Sequence, residues 1–230
     1  MSKEGIRNSL SFLIEELLLS RLFPAGVFAW ITLAKTWALI GRLQAVGSED
    51  ILSLPFLTYV AHQVLTILFM GIAVVLFFRR KPVVSNHSSL LNGVVALAGT
   101  FILMVPVGAK VDEDNTLALL ASTTVMLFGV GLSVNSLLTL GRCFGLMPEA
   151  RGLKTSGLYA WVRHPLYVSE TITALGLVVG AASLPIVALF FVFCGLQYWR
   201  SANEEKALEG IFPEYKEYRR RTARFVPGVY

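Results

Sequence analysis

The sequence predicts an all-α protein, a polytopic transmembrane helical bundle with six spans. Three observations carry that expectation. Of the 230 residues, 55% are hydrophobic and only 15% are charged, which is more apolar and less charged than an average soluble domain. The apolar residues come in blocks of about twenty, each long enough to cross a hydrocarbon layer of roughly 30 Å. The basic residues stand in short segments between the blocks, alternately many and few, as membrane topology requires. Topology thereby accounts for the net charge of +5, and nucleic acid is not expected as a partner.

The opening run, MSKEGIRNSLSFLIEELLLSR, has Glu15 and Glu16 where a signal peptide carries its apolar core, and no small-residue cleavage site follows. It reads as an amphipathic interfacial helix. Four spans come next, at Leu22–Gly41, Ile51–Phe78, Leu90–Ala109 and Leu117–Leu140. A longer block runs from Leu166 to Trp199. As one straight helix it extends roughly 50 Å, too far for a single crossing. Ala181-Ala182-Ser183-Leu184-Pro185 puts small residues and a proline at its middle, where a C-terminal helical hairpin can turn. Spans five and six follow from that break.

The charges test this count independently. Lys3, Arg7 and Arg21, then Arg79 to Lys81, then Arg142, Arg151, Lys154 and Arg163, then the run from Arg200 to Arg224 fall in alternate segments. The opposite loops hold only Arg42 and Lys110, the latter beside Asp112, Glu113 and Asp114. Both termini are therefore expected in the cytoplasm, with a bacterial inner membrane as the expected host. Lys35 and His62 lie within spans and read either as functional groups or as side chains facing a neighbouring helix. Cys143 and Cys194 imply no disulfide framework. His62, His87 and His164 lie in separate segments without ligand spacing, so no metal is expected.

Two segments carry chemistry. From Leu140 to Glu170 the chain is dense in Gly, Pro, aromatic and basic residues. Gly152 and Gly157 permit tight or φ-positive backbone, Pro148 and Pro165 end or begin helices, and Pro165 can open the fifth span. Arg163 and His164 then lie just before a helix N-terminus, where free N–H groups and the positive dipole end favour an anion such as a cofactor carboxylate. Composition alone also allows a plain membrane anchor, with Tyr159, Trp161 and Tyr167 as an aromatic belt. The second segment is Trp199 to Glu205, followed by a polar tail with Tyr215, Tyr218 and Arg219 to Arg221. Spacing alone reads it as a solvated helix end with an Arg200–Glu204 pair at i,i+4.

The run from Gly157 to Tyr167, GLYAWVRHPLY, resembles the G-x-Y-x-x-x-R-H-P-x-Y signature of the isoprenylcysteine carboxyl methyltransferase and phospholipid methyltransferase superfamily. The downstream order is similar too: a helical hairpin, Arg200 before Glu204 and Glu205, then Tyr215, Tyr218 and Pro227. The likeness covers residues 141–230 as a catalytic region and leaves 1–140 as the interfacial helix and four spans. It implies an integral-membrane methyltransferase that holds S-adenosylmethionine in a cytoplasmic cap. Leu153, Gly157, Tyr159, Arg163, His164, Tyr167 and Glu204 would then bind the cofactor. Arg200 and Glu205 would be catalytic, and a lipophilic acceptor would enter from the bilayer. A prenylcysteine-like carboxylate would need only an arginine fork; a phospholipid amine would need Glu205 as base; a thiol would need a base or a lowered pKa.

Some residues depart from that pattern. Ser169 stands where glycine is common and would narrow the cofactor's approach to the backbone. Phe212-Pro213 replaces a common Phe-Gly. Glu170 resembles the related membrane sterol and steroid reductases, which makes an NADPH-dependent reductase the alternative. A transporter would scatter ionisable residues at mid-depth on several helices, whereas here they gather at one face. A non-enzymatic protein would not require the R-H-P-x-Y and Glu-Glu parts together.

Overall fold

A computed structural model describes residues 21–47, 51–81, 85–86, 90–102, 115–146, 149–181 and 183–229. The expected interfacial helix, the Lys110 loop, His87 and Pro148 lie outside the described residues. Helices α1 (Phe23–Ala45), α2 (Leu54–Arg79), α4 (Thr116–Leu140) and α6 (Leu184–Ile211) are long and apolar enough to cross a membrane. Helices α3 (Leu90–Phe101) and α5 (Pro165–Gly180) are shorter. The expected third span continues past the described residues, and α5 reaches about 24 Å. A short α7 (Tyr215–Arg221) follows. The expectation of helix alone needs one correction: β1 (Ser85–Asn86) and β2 (Glu149–Ala150) pair antiparallel, tying the connection after α2 to the one after α4.

Helix starts follow local chemistry. Pro24, Pro55, Pro165 and Pro185 stand in the first turns of α1, α2, α5 and α6, where a missing N–H costs nothing. Asn115 caps α4 by accepting from the Ala118 N–H at 3.0 Å. Trp30, Leu33, Trp37 and Phe128 are exposed, as suits helices whose outer faces meet lipid rather than water.

Helices α4 and α5 pack most closely, because small residues line their seam. A Cβ on Gly129 would stand 2.6 Å from the Thr173 backbone nitrogen, and one on Gly176 would stand 2.4 Å from Met126 Cγ. Ser122 Oγ donates to the Gly176 carbonyl at 2.7 Å, and Ser133 Oγ donates to Ser169 Oγ at 2.8 Å. A second apolar cluster joins α1, α2 and the turn after α4 through Phe28, Phe77 and Phe144. Helix α3 lies against α6, where Asn203 Nδ2 donates to Asn92 Oδ1 at 3.0 Å.

Helices α5 and α6 meet at a break around Ala181 and Ser183. Side-chain bonds join 164 to 205, 167 to 204 and 170 to 197, so the two run antiparallel. Beyond α7 the chain returns to the residues before α5. Val162 bridges Ala223, the Arg163 N–H donates to the Ala223 carbonyl at 2.8 Å, and the His164 N–H donates to the Arg224 carbonyl at 3.2 Å.

Candidate functional site

The R-H-P stretch stands at the N-terminus of α5, with His164 as N-cap and Pro165 as the first helical residue. Arg163 Nε donates to Glu205 Oε1 at 2.9 Å, and Arg163 Nη1 donates to the carbonyls of Arg219 (2.9 Å) and Thr222. His164 Nε2 donates to the same carboxylate at 3.1 Å, which makes Nε2 the proton-bearing nitrogen, because an ionised carboxylate only accepts. Arg224 adds donors from Nε at 3.1 Å and Nη2 at 2.5 Å. Glu205 is thus a buried carboxylate held by two guanidiniums and an imidazole, an arrangement that offsets the large cost of burying its charge. Those same bonds to Glu205 raise Arg224 above its ordinary value.

Glu204 has a different environment. One residue earlier on the helix, it is turned by about 100°, and its Oε2 accepts from the Tyr167 hydroxyl at 3.0 Å. Tyr167 in turn stacks on the His164 ring, with centroids 5.4 Å apart and planes at 12°. The adjacent glutamates therefore separate into a clamp carboxylate and a cavity carboxylate.

The cavity has a volume of about 720 Å³, within the range of small-molecule sites. Its polar end is formed by Tyr159, His164, Tyr167, Glu170, Arg200 and Glu204. The remainder runs between α1, α2, α4 and α5 along residues such as Phe69, Met70, Val130 and Leu177, with Lys35 and His62 also in its wall. Arg200 lies over the Tyr167 ring, 4.8 Å from guanidinium carbon to centroid. It donates from Nη1 to Gln197 Oε1 at 2.7 Å and stands 4.0 Å from Glu170 Oε2. Among the described residues its Nε is buried and has no hydrogen-bond partner. Gly99 makes room for it, since a Cβ there would stand 2.8 Å from Arg200 Cδ.

Tyr159 belongs to a 3₁₀ turn, Gly157–Ala160. Gly157 has φ +61°, and a side chain there would press on Thr139 at 3.1 Å, so glycine is required at the start of the turn. Burial, then the Glu204 carboxylate, pushes the Tyr159 phenol well above its usual range. Its carbonyl accepts from the Tyr218 hydroxyl at 2.6 Å.

Of the residues expected at the site, the structure brings Tyr159, His164, Tyr167, Arg200 and Glu204 to the cavity. Leu153, Gly157, Arg163 and Glu205 do not line it: Leu153 lies in the connection after β2, Gly157 at its turn, and Arg163 and Glu205 in the clamp. Ser169 faces α4, bonding with Ser133 and the Leu166 carbonyl, and does not line the cavity. Arg200 turns toward Gln197 and Glu170 instead of pairing with Glu204 along the helix. Of the three aromatics readable as a belt, Trp161 is exposed while Tyr159 is buried and Tyr167 points inward. Sequence reasoning missed Gln197, Glu170 and Arg224 as functional partners. Only the i,i+3 spacing of Gln197 and Arg200 on α6 was available to suggest that those two act together.

The phospholipid methyltransferase family matches residues 117–215. The cobalt-zinc-cadmium resistance protein CzcN of Cupriavidus metallidurans is 35% identical over 109 residues, 45% of this chain and 50% of that protein. The protein-S-isoprenylcysteine O-methyltransferase of Mus musculus is 27% identical over 154 residues, 63% of this chain and 53% of the enzyme. The chain thus spans about half the length of these two curated relatives. Among solved structures, the eukaryotic intramembrane Ras methyltransferase ICMT (isoprenylcysteine carboxyl methyltransferase) shares the fold. Its TM-score is 0.52 at 17% identity, over 96% of this chain and 86% of that one. Among the described residues there is no group of three His, Cys, Asp or Glu that could hold a metal ion.

Proposed function

Since the chain belongs to the isoprenylcysteine carboxyl methyltransferase and phospholipid methyltransferase superfamily, we propose that it is an S-adenosylmethionine-dependent methyltransferase acting on a lipophilic acceptor at the cytoplasmic membrane face. One observation carries this reading: a single cavity joins the polar end at His164, Tyr167, Arg200 and Glu204 to an apolar flank among membrane helices. A water-borne donor and a bilayer-borne acceptor can meet there. In the proposed topology the chain crosses six times with both termini in the cytoplasm, residues 1–140 forming the membrane frame and 141–230 the catalytic region.

S-adenosylmethionine, when bound, supplies a methyl carbon activated by a cationic sulfur. The residues fit such a ligand. Glu204 accepts from amino or hydroxyl groups, and aromatic faces at Tyr159 and Tyr167 suit a cation. His164, held by Glu205, presents a fixed ring to the cavity. Leu153 and Gly157 shape the loop that carries Tyr159. Arg163 and Glu205 act in this reading as positioning residues, through His164. Arg200, whose guanidinium stands in the cavity wall, orients the acceptor. The chain's contribution to rate is proximity, and exclusion of competing water once donor and acceptor fill the cavity.

The test is calorimetric titration of the detergent-purified protein with S-adenosylhomocysteine and, separately, with NADPH, in wild type and His164→Ala. Saturable binding of the first ligand, lost in the variant, is expected. Binding of NADPH alone would replace this reading with a reductase.

A further inference from the structure

The cavity holds an acidic side chain beside the acceptor arginine. Glu170, one turn into α5, lines the cavity with a quarter of its side chain exposed. Its Oε2 accepts from Gln197 Nε2 at 2.5 Å and lies 4.0 Å from Arg200 Nη1. Gln197 is itself buried and bridges the pair, accepting from Arg200 through Oε1 at 2.7 Å. Among the described residues Glu170 makes no other hydrogen bond, so most of the acceptor capacity of its two oxygens is open to a ligand.

This alters what the arginine can receive. A lone guanidinium in an apolar wall attracts a carboxylate, which docks as a fork. Here a carboxylate already stands within ion-pair reach of it, and a second one docking on Arg200 would meet Glu170 at like charge in a poorly solvated space. A head group with a hydrogen to give meets the opposite reception: it donates to Glu170 while its lone pair stays free for attack.

We propose that Glu170 selects the acceptor class, and that this class is an amphiphile with an N–H or S–H nucleophile rather than a preformed carboxylate, Glu170 taking the proton. The inference rests on the methyltransferase reading above. Starting from the neutral head group R–XH, the lone pair of X forms the new bond to the methyl carbon. The carbon–sulfur bond of the sulfonium donor breaks with its electron pair left on sulfur, giving a neutral thioether. The proton on X passes to Glu170, which becomes a neutral acid and returns it to solvent when product leaves.

The experiment titrates the protein, saturated with S-adenosylhomocysteine, with three amphiphiles of one alkyl chain length ending in an amine, a thiol or a carboxylate. Wild type is expected to bind the amine or the thiol about tenfold tighter than the carboxylate, a modest share of the penalty for like-charge juxtaposition. Comparing the amine with the thiol then names the nucleophile. In Glu170→Gln, the preference is expected to disappear while S-adenosylhomocysteine affinity stays within about twofold, and kcat for the better acceptor falls about a hundredfold or more, the usual contribution of a positioned base. A wild type that binds the carboxylate as tightly as the other two overturns the proposal, and that comparison needs no folded variant. A Glu170→Gln protein that keeps both preference and kcat overturns it as well. Failure of S-adenosylhomocysteine itself to bind overturns the methyltransferase reading, and so is separable from the failure of this one.

Discussion

Arg163 and Glu205 are 42 residues apart in sequence and 2.9 Å apart in the fold, with side chains only 5% and 4% exposed. This pair joins three pieces of chain: the turn before α5, the end of α6 and the returning tail. Removing one partner leaves an uncompensated buried charge, which costs about 3 to 5 kcal/mol. Arg163→Ala and Glu205→Ala should each lower the thermal unfolding temperature in detergent markedly. Glu209→Ala, at an exposed pair with Arg219, should leave it nearly unchanged. Equal effects at the two places would sink the clamp as a structural unit.

In the proposed mechanism Arg200 orients the acceptor, so its removal should separate binding from turnover. Arg200→Ala is expected to bind S-adenosylhomocysteine within about twofold of wild type and to lose at least about a hundredfold in kcat/KM, the scale at which lost positioning acts. Normal turnover in this variant would remove Arg200 from the proposed mechanism.

Tyr167 and Glu204 share a hydrogen bond at the cavity wall. Glu204→Ala removes an acceptor and should weaken S-adenosylhomocysteine by about tenfold or more, as for a hydrogen bond to a charged group. Tyr167→Phe keeps the ring stacked on His164 and should cost less. The order of the two affinities, read by calorimetry, is the check.

The seam between α4 and α5 admits no side chain at Gly176. Gly176→Val should force the helices apart, at a cost of about 1 to 3 kcal/mol or more. Gly195 has open space around the position of a Cβ, so Gly195→Ala should match or slightly exceed wild-type stability. Unfolding in detergent for the two variants, side by side, measures the contrast.

Tyr218 is buried, and that burial pushes its phenol above the usual value, against the opposing pull of Arg163. The unfolded phenol titrates near about 10. Between that pH and the raised folded value the native chain binds more protons than the unfolded one, so stability is fully present below about pH 10 and falls as pH rises beyond it. Tyr218→Phe should lose about 1 kcal/mol at neutral pH, with its bond to the Tyr159 carbonyl, and should show a shallower decline between about pH 10 and 12. Parallel declines in the two proteins would refute the assignment.

The start of α5 was legible in the sequence because a proline can occupy a helix's first turn and is excluded from its middle. The turn at Gly157 was legible for a related reason: only glycine tolerates its backbone. The partners of Glu205 were not. A helix has a known period, so neighbours on its own face can be read from spacing. Which residue of another helix or of the tail comes opposite depends on tilt and register, which no local pattern encodes. Arg224 looks like one more basic residue of a cytoplasmic tail, and Glu170 like an oddity after a motif. The Arg200–Glu204 spacing is ideal for an intrahelical pair, yet Arg200 finds Gln197 and Glu170, and tertiary contact overrides a preference worth only a few tenths of a kcal/mol. Nor does any local pattern show that the Ser169 hydroxyl ties α5 to α4.

The separation of Glu204 from Glu205 limits how the gene can change in length. Inserting or deleting one codon between Ser183 and Asn203 would rotate everything after it by about 100°: an insertion would bring Glu204 to the station that braces the tail and Asn203 to the one that faces the cavity, and a deletion would bring Lys206 to the first and Glu205 to the second. Neither station can use the other's partners. Homologues can therefore vary the composition of α6 freely on its lipid face, but changes in its length should come in steps of about seven residues, two full turns, or not at all.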